Sequence, residues 1–131
     1  MINTYEAYLK HPAKNVITIE ECQRIYKAMA DDVDKCVADD KMEFWNEVII
    51  SAARYCKIRN DWETMTRDEK VEADGGRTSA HDAVITNLNV LTRVLENEGI
   101  DTSWRSELGD QRKRIGDFAC FISFITGISN R

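Results

Sequence analysis

Read for its apolar positions alone, the chain breaks into stretches that repeat every three to four residues. Cys22, Ile25, Tyr26, Met29, Val33, Cys36 and Val37 recur at that interval, and Thr18 with Glu21 supplies a Thr-x-x-Glu capping box just ahead of them. The pattern predicts an amphipathic helix over about residues 19–38. Asp40 with Glu43 repeats the start signal, and Phe44, Trp45, Val48, Ile49, Ala52, Tyr55 and Cys56 then line one face of a second helix. The link is so short that the two helices either fold back as a hairpin or run on with a kink.

Between Asn60 and Arg77 the pattern thins. Thr66 with Glu69 can cap a short helix, but Val71 is its one strong apolar anchor before Gly75-Gly76, so a mobile connection is expected over about residues 60–77. Ser79 and Asp82 read as the next capping box, opening a helix that runs to Glu98 and is stopped by Gly99, where left-handed φ is free of steric cost. Val84, Ile85, Leu88, Val90, Leu91, Val94 and Leu95 cover most of its circumference, which places it at the centre. Trp104 rides on a short turn over 103–108, Gly109 breaks that turn, and Asp110 caps a last helix over about 111–126. Ile115, Phe118, Ala119, Phe121, Ile122, Phe124 and Ile125 surround this helix, and Gly127-Ile128 reads as a Schellman end. No alternating β pattern and no internal repeat is visible, so the expected fold class is all-α: a compact bundle of four to five main helices forming one domain over 1–131.

Composition supports a packed domain. With 131 residues, 43% of them hydrophobic, three tryptophans, one proline and six glycines, collagen-like and disordered readings fail. The most apolar run, Ile115 to Ile128, is too short for a membrane span and contains Asp117. The N-terminus lacks the basic lead and apolar run of a secretion signal, so a cytoplasmic setting is expected. Cys22, Cys36, Cys56 and Cys120 form no Cys-x-x-Cys pair and fall on apolar faces, which points to reduced, buried thiols. Two helices apolar on nearly all sides are much for one small bundle to cover, so a two-fold homodimer is expected.

The net charge is −5, and the acidity is concentrated early: residues 1–50 carry ten acids against six bases. A negative surface repels phosphate backbones, which argues against direct nucleic-acid binding; an acidic face built on Asp31, Asp32, Asp34, Asp39 and Asp40 would instead mimic nucleic acid and occupy a host protein's site. The first turn of the last helix breaks a local rule, because Arg112, Lys113 and Arg114 stand where the helix dipole is positive. Local repair would pair Asp110 with Lys113 or Arg114, and Asp117 with Lys113. The sharper reading joins Arg112 and Arg114 to Arg77, His81 and Arg93 in a ligand site for a phosphate, a nucleotide or a partner's acidic patch. Asn87, Asn89 and Asp117 lie in the most apolar helices and need partners, for which Arg93, Arg112 and Arg114 are the candidates.

Enzyme chemistry is thinly represented. His81-Asp82 matches the metal-binding dipeptide of the helical HD phosphohydrolases, but the further ligands would have to come from His11 and from Asp110 or Asp117, at no recognisable spacing. Glu43 with Glu47 and Glu69 with Glu72 match the paired acids of helical nucleotide pyrophosphatases without a second set to complete them. There is no Walker or Rossmann glycine loop and no Gly-x-Ser-x-Gly elbow. No catalytic residue, metal ligand or cofactor is therefore assigned.

The series Arg77-x-x-x-His81-Asp82, Trp104, Gly109-Asp110-x-Arg112 and Ile115-x-Asp117-Phe118-Ala119 resembles small uncharacterised helical proteins of bacteria and their prophages, over residues 77–131. The resemblance implies an all-α fold and a bacterial or phage setting, and no activity. The expectation carried forward is a non-enzymatic binding protein that pairs with itself and takes a host protein or a small anionic, nucleotide-like ligand.

Overall fold

A computed structural model describes residues 16–127. Five α-helices occur there, and no strand: α1 (Ile19–Lys35), α2 (Lys41–Glu63), α3 (Arg67–Asn97), α4 (Ser103–Leu108) and α5 (Arg112–Thr126). The fold is an all-α bundle. No helix is long and apolar enough to cross a membrane. His11 and Ile128 lie outside the described residues.

The two longest helices, α2 and α3, form the most extensive interface, and α5 packs next most closely on α2. Their buried faces meet in one cluster: Val48, Ala52 and Tyr55 from α2, Val84, Leu88, Leu91 and Leu95 from α3, Ile115, Phe118 and Ile122 from α5. Cys22, Ile25, Met29 and Val33 of α1 complete it. The short helix α4 inserts Trp104, whose Nε1 donates to the Asp32 carboxylate of α1 at 2.9 Å in a buried setting. Arg114 joins α5 to α1 by donating to Glu21 at 2.8 Å, and Arg24 of α1 pairs with Glu107 of α4. Helix α1 thus docks on α4 and α5, and it touches α2 only slightly.

Several expected boundaries move. The capping box at Thr18 and Glu21 forms with both of its hydrogen bonds, but α1 stops at Lys35, because Cys36 turns to an extended conformation (φ −69°, ψ 139°) and leaves Val37 83% exposed. Asp40 does precede α2, yet its side chain makes no capping bond. The largest departure concerns residues 60–77. Helix α2 continues to Glu63, and Thr66 and Glu69 form a complete capping box that opens a helix of 31 residues. Ser79 and Asp82, expected to start a helix, stand inside it. Gly75 and Gly76 lie within α3 at ordinary helical φ, since only Gly99, Gly109 and Gly127 have positive φ. Two glycines cost propensity but do not forbid helix, and the strong cap upstream outweighs them.

The ends read from sequence fare better. After α3 the Ile100 N–H reaches the Leu95 carbonyl at 3.1 Å and the Gly99 N–H reaches Glu96 at 2.9 Å, a full Schellman motif around Gly99. Gly127 caps α5 in the left-handed conformation (φ 71°). All four cysteines are free and buried. Much of the apolar surface that motivated a second copy is covered within the chain: on α5 the large hydrophobic residues left exposed are Phe124 and Ile125.

Candidate functional site

The cleft of interest opens between α2, α3 and the first turn of α5, with a volume of about 460 Å³. Tyr55, Arg59, Trp62 and Glu63 come from α2, Arg77, Thr78 and His81 from α3, Arg112 and Lys113 from α5. The α3 residues reach one wall because Arg77 and His81 are four apart and share a helix face. The unexpected N-terminal extension of α3 is what brings Arg77 alongside Trp62. Its guanidinium lies over the indole ring with 4.6 Å to the centroid.

The inner end of the cleft rests on a buried ion pair. Arg59 donates through Nη2 to Asp117 Oδ1 at 2.7 Å, and the side chains are only 6% and 0% exposed. Burial raises the Asp117 pKa, against the pull of Arg59 and of the Val16 N–H. Gly116 makes room for this arrangement: a Cβ there would lie 2.8 Å from the Tyr55 hydroxyl and 3.0 Å from Arg59 Nη1. Burial also pushes the Tyr55 phenol up to about 12, so it stays protonated at neutral pH.

His81 is 5% exposed, and its Nε2 lies 2.6 Å from the Arg112 carbonyl oxygen. A carbonyl can only accept, so Nε2 carries the hydrogen and donates. Nδ1 is then a bare lone pair. It is buried with no partner among the described residues, and so is the Nε of Arg77 one turn earlier. Desolvation lowers the His81 pKa below its ordinary 6.5, which keeps the ring neutral at pH 7.

Electrostatically the lining is cationic in excess, with Arg59, Arg77, Arg112 and Lys113 against Glu63. Arg59 pairs with Asp117, and Arg112 with Asp82 at 3.1 Å. The Arg112–Asp82 pair is more than half exposed on both sides and is worth little. Gln111, the N-cap of α5, makes no side-chain capping bond, so the first-turn N–H groups beside Arg112 and Lys113 add partial positive charge.

Of the five ligand residues expected from sequence, the structure gathers Arg77, His81 and Arg112 into the cleft. Arg93 is not among its lining residues: it is exposed on α3, about 24 Å along the helix from Arg77 at 1.5 Å per residue. Arg114 faces the other way, bound to Glu21, to the Leu108 carbonyl at 2.8 Å and to the Val16 carbonyl at 3.2 Å, and serves packing. The α5 turn also draws partners from other helices: Asp110 pairs with Arg105 and Asp117 with Arg59, while the Lys113 charge acts on Asp117 as the spacing suggests. Asn87 and Asn89 also find other partners, the Glu47 carbonyl at 3.3 Å and Arg105 at 3.0 Å.

Sequence reasoning missed Tyr55, Arg59 and Trp62. The signal available was Arg59 on the apolar face of α2, four residues after Tyr55, since a charge at a core position demands a buried counter-ion.

The other chemistries find less support. Among the described residues no three of His, Cys, Asp and Glu group closely enough to hold a metal ion. Of the acidic series proposed as a nucleic-acid mimic, Asp32 is buried against Trp104 and Asp31 pairs with Lys27 at 2.8 Å. Compared with protein families, with curated proteins and with solved structures, the chain matches none.

Proposed function

We propose that this is a binding protein whose ligand is a small anion held in the cleft between α2, α3 and α5. The observation that carries the reading is the pair of buried, orphaned polar atoms, Arg77 Nε and His81 Nδ1, on two residues that line a cleft whose charged lining is mostly cationic. Buried polar groups are normally paired, and an unpaired set bordering a cavity marks where a ligand supplies the missing partner. A volume of about 460 Å³ is within the range of small-molecule sites. Arginine offers a bidentate fork to phosphate or carboxylate, and Trp62 beneath Arg77 holds that fork in place. A bacterial or phage binding protein that reads a small anionic metabolite is the form this function takes.

The test is a thermal-shift titration of the whole chain with orthophosphate, nucleoside phosphates and carboxylates, alongside Arg77→Gln. A ligand bound only by the folded state raises the melting temperature. The expected result is a concentration-dependent rise with at least one of these anions, lost in Arg77→Gln while the unliganded melting temperature is kept. No rise with any of them overturns the reading.

A further inference from the structure

The orphaned atoms of the cleft are of opposite kind, and they sit four residues apart on one face of α3. Arg77 Nε is a donor without an acceptor; His81 Nδ1 is an acceptor without a donor. The acceptor character of Nδ1 is imposed by the Arg112 carbonyl, which takes the Nε2 hydrogen at 2.6 Å. A fully deprotonated anion satisfies the arginine but sets its oxygens against the imidazole lone pair. An anion that also carries a hydroxyl answers both kinds of atom, its bare oxygens accepting from Nε–H and its hydroxyl hydrogen donated to Nδ1.

Resting on the reading of the cleft as an anion site, we propose that it selects anions carrying a hydroxyl on or beside the charged group, hydrogen phosphate being the simplest, and rejects anions without a donor, such as sulfate. The groups that face His81 hold this selectivity in place. From α2 come Tyr55, whose ring meets the imidazole edge-on at 5.2 Å, and Arg59; from α3 Arg77 and Asp82; from α5 Arg112. Burial is the largest influence on the imidazole and keeps it neutral; the hydrogen bond to the Arg112 carbonyl and the Asp82 charge oppose it, and the charges of Arg112 and Arg59 add to it. Acid reverses the rule. Once His81 is protonated both ring nitrogens donate, and Nδ1–H then welcomes the sulfate oxygen that its lone pair had repelled.

The experiment is calorimetric titration of the whole chain with sodium orthophosphate and with sodium sulfate at pH 7 and at stepwise lower pH, with His81→Phe as a second arm. Orthophosphate keeps at least one P–OH throughout, and sulfate has none. Expected at pH 7 is binding of phosphate at least about tenfold tighter than sulfate, the cost of one mismatched buried hydrogen bond. Once the pH is low enough to protonate His81, read from its imidazole proton shifts, the ratio should shrink toward unity as sulfate binding improves, and in His81→Phe it should be near unity throughout. Equal binding of the two anions by the wild type at pH 7, or a ratio unmoved when the His81 ring is seen to protonate, overturns the donor selection while leaving the anion site standing. Binding of neither anion overturns both. The pH comparison uses the wild-type chain, so the outcome stands even where His81→Phe fails to fold.

Discussion

At the residue scale, the cleft is held by a few groups whose burial forces their chemistry. Arg59 and Asp117 are the clearest case, because each is the other's charge partner in the core, with the Val16 N–H adding a contact to Asp117. Removing one partner strands a charge: Arg59→Met should lower unfolding stability by about 3–5 kcal/mol in urea titrations, while Arg59→Met with Asp117→Leu together should recover most of that loss. If the double variant is as unstable as the single, the pair contributes through contacts other than its charge. Gly116→Ala works at the same place by volume, since its Cβ would meet the Tyr55 hydroxyl at 2.8 Å. A loss of about 1–3 kcal/mol is expected, with weakened anion binding as Tyr55 and Arg59 are displaced. His81 gives the pH dependence. Its folded pKa lies below 6.5, so the unfolded chain takes up a proton first as the pH falls through 6.5. Stability from this residue is therefore complete above that value and declines with acid until the folded ring also protonates. Urea midpoints between pH 7.5 and pH 5 should fall more steeply for the wild type than for His81→Gln.

At the element scale, the helix signals in the sequence are uneven guides: Asp40 precedes α2 without making a capping bond, and where two capping boxes compete for α3 the later one does not start the helix. Thr18 with Glu21, the Gly99 stop and the Gly127 end all lie where they were expected. For α3 there were two candidate starts, and the glycine pair between them made the later one more attractive. The structure opens the helix at Thr66, whose side chain accepts from the Glu69 N–H at 3.2 Å while Glu69 accepts from the Thr66 N–H at 2.8 Å. That difference decides the site, because a helix beginning at Ser79 would leave Arg77 in a loop, away from Trp62. Arg93 and Arg114 lie outside the cleft lining for a related reason. Spacing along one helix says which residues share a face, but not which neighbour that face meets, and Arg114 met Glu21, 93 residues earlier in sequence. Two substitutions separate the starts: Thr66→Ala should cost about 1 kcal/mol and Ser79→Ala, exposed within the helix, close to nothing. Gly75→Ala and Gly76→Ala should each stabilise by about 0.5–1 kcal/mol, since neither added Cβ meets anything within 4 Å. A loss of stability in either glycine variant would mean that the residues pack against something outside 16–127.

At the scale of the whole molecule, α2, α3 and α5 supply both the main packing and every wall of the cleft, while α1 and α4 are fastened on through Trp104 with Asp32 and Arg114 with Glu21. Among the described residues, the cleft is lined by one chain. We propose the homodimer in a reduced form, seated on the end of α5 where Phe124 and Ile125 remain 38% and 48% exposed. Such an interface is away from Arg77 and His81 in the chain order and adds none of the residues that line the cleft, so assembly and anion binding should be separable. Light scattering behind a sizing column should give about twice 15.1 kDa at micromolar concentration. Ile125→Glu places a charge in the apolar contact and should return the mass to 15.1 kDa, with the melting temperature of the dilute protein and its phosphate affinity unchanged. A wild-type chain that stays at 15.1 kDa at high concentration rules out the homodimer, and loss of phosphate binding in Ile125→Glu would show instead that the second copy helps to build the site.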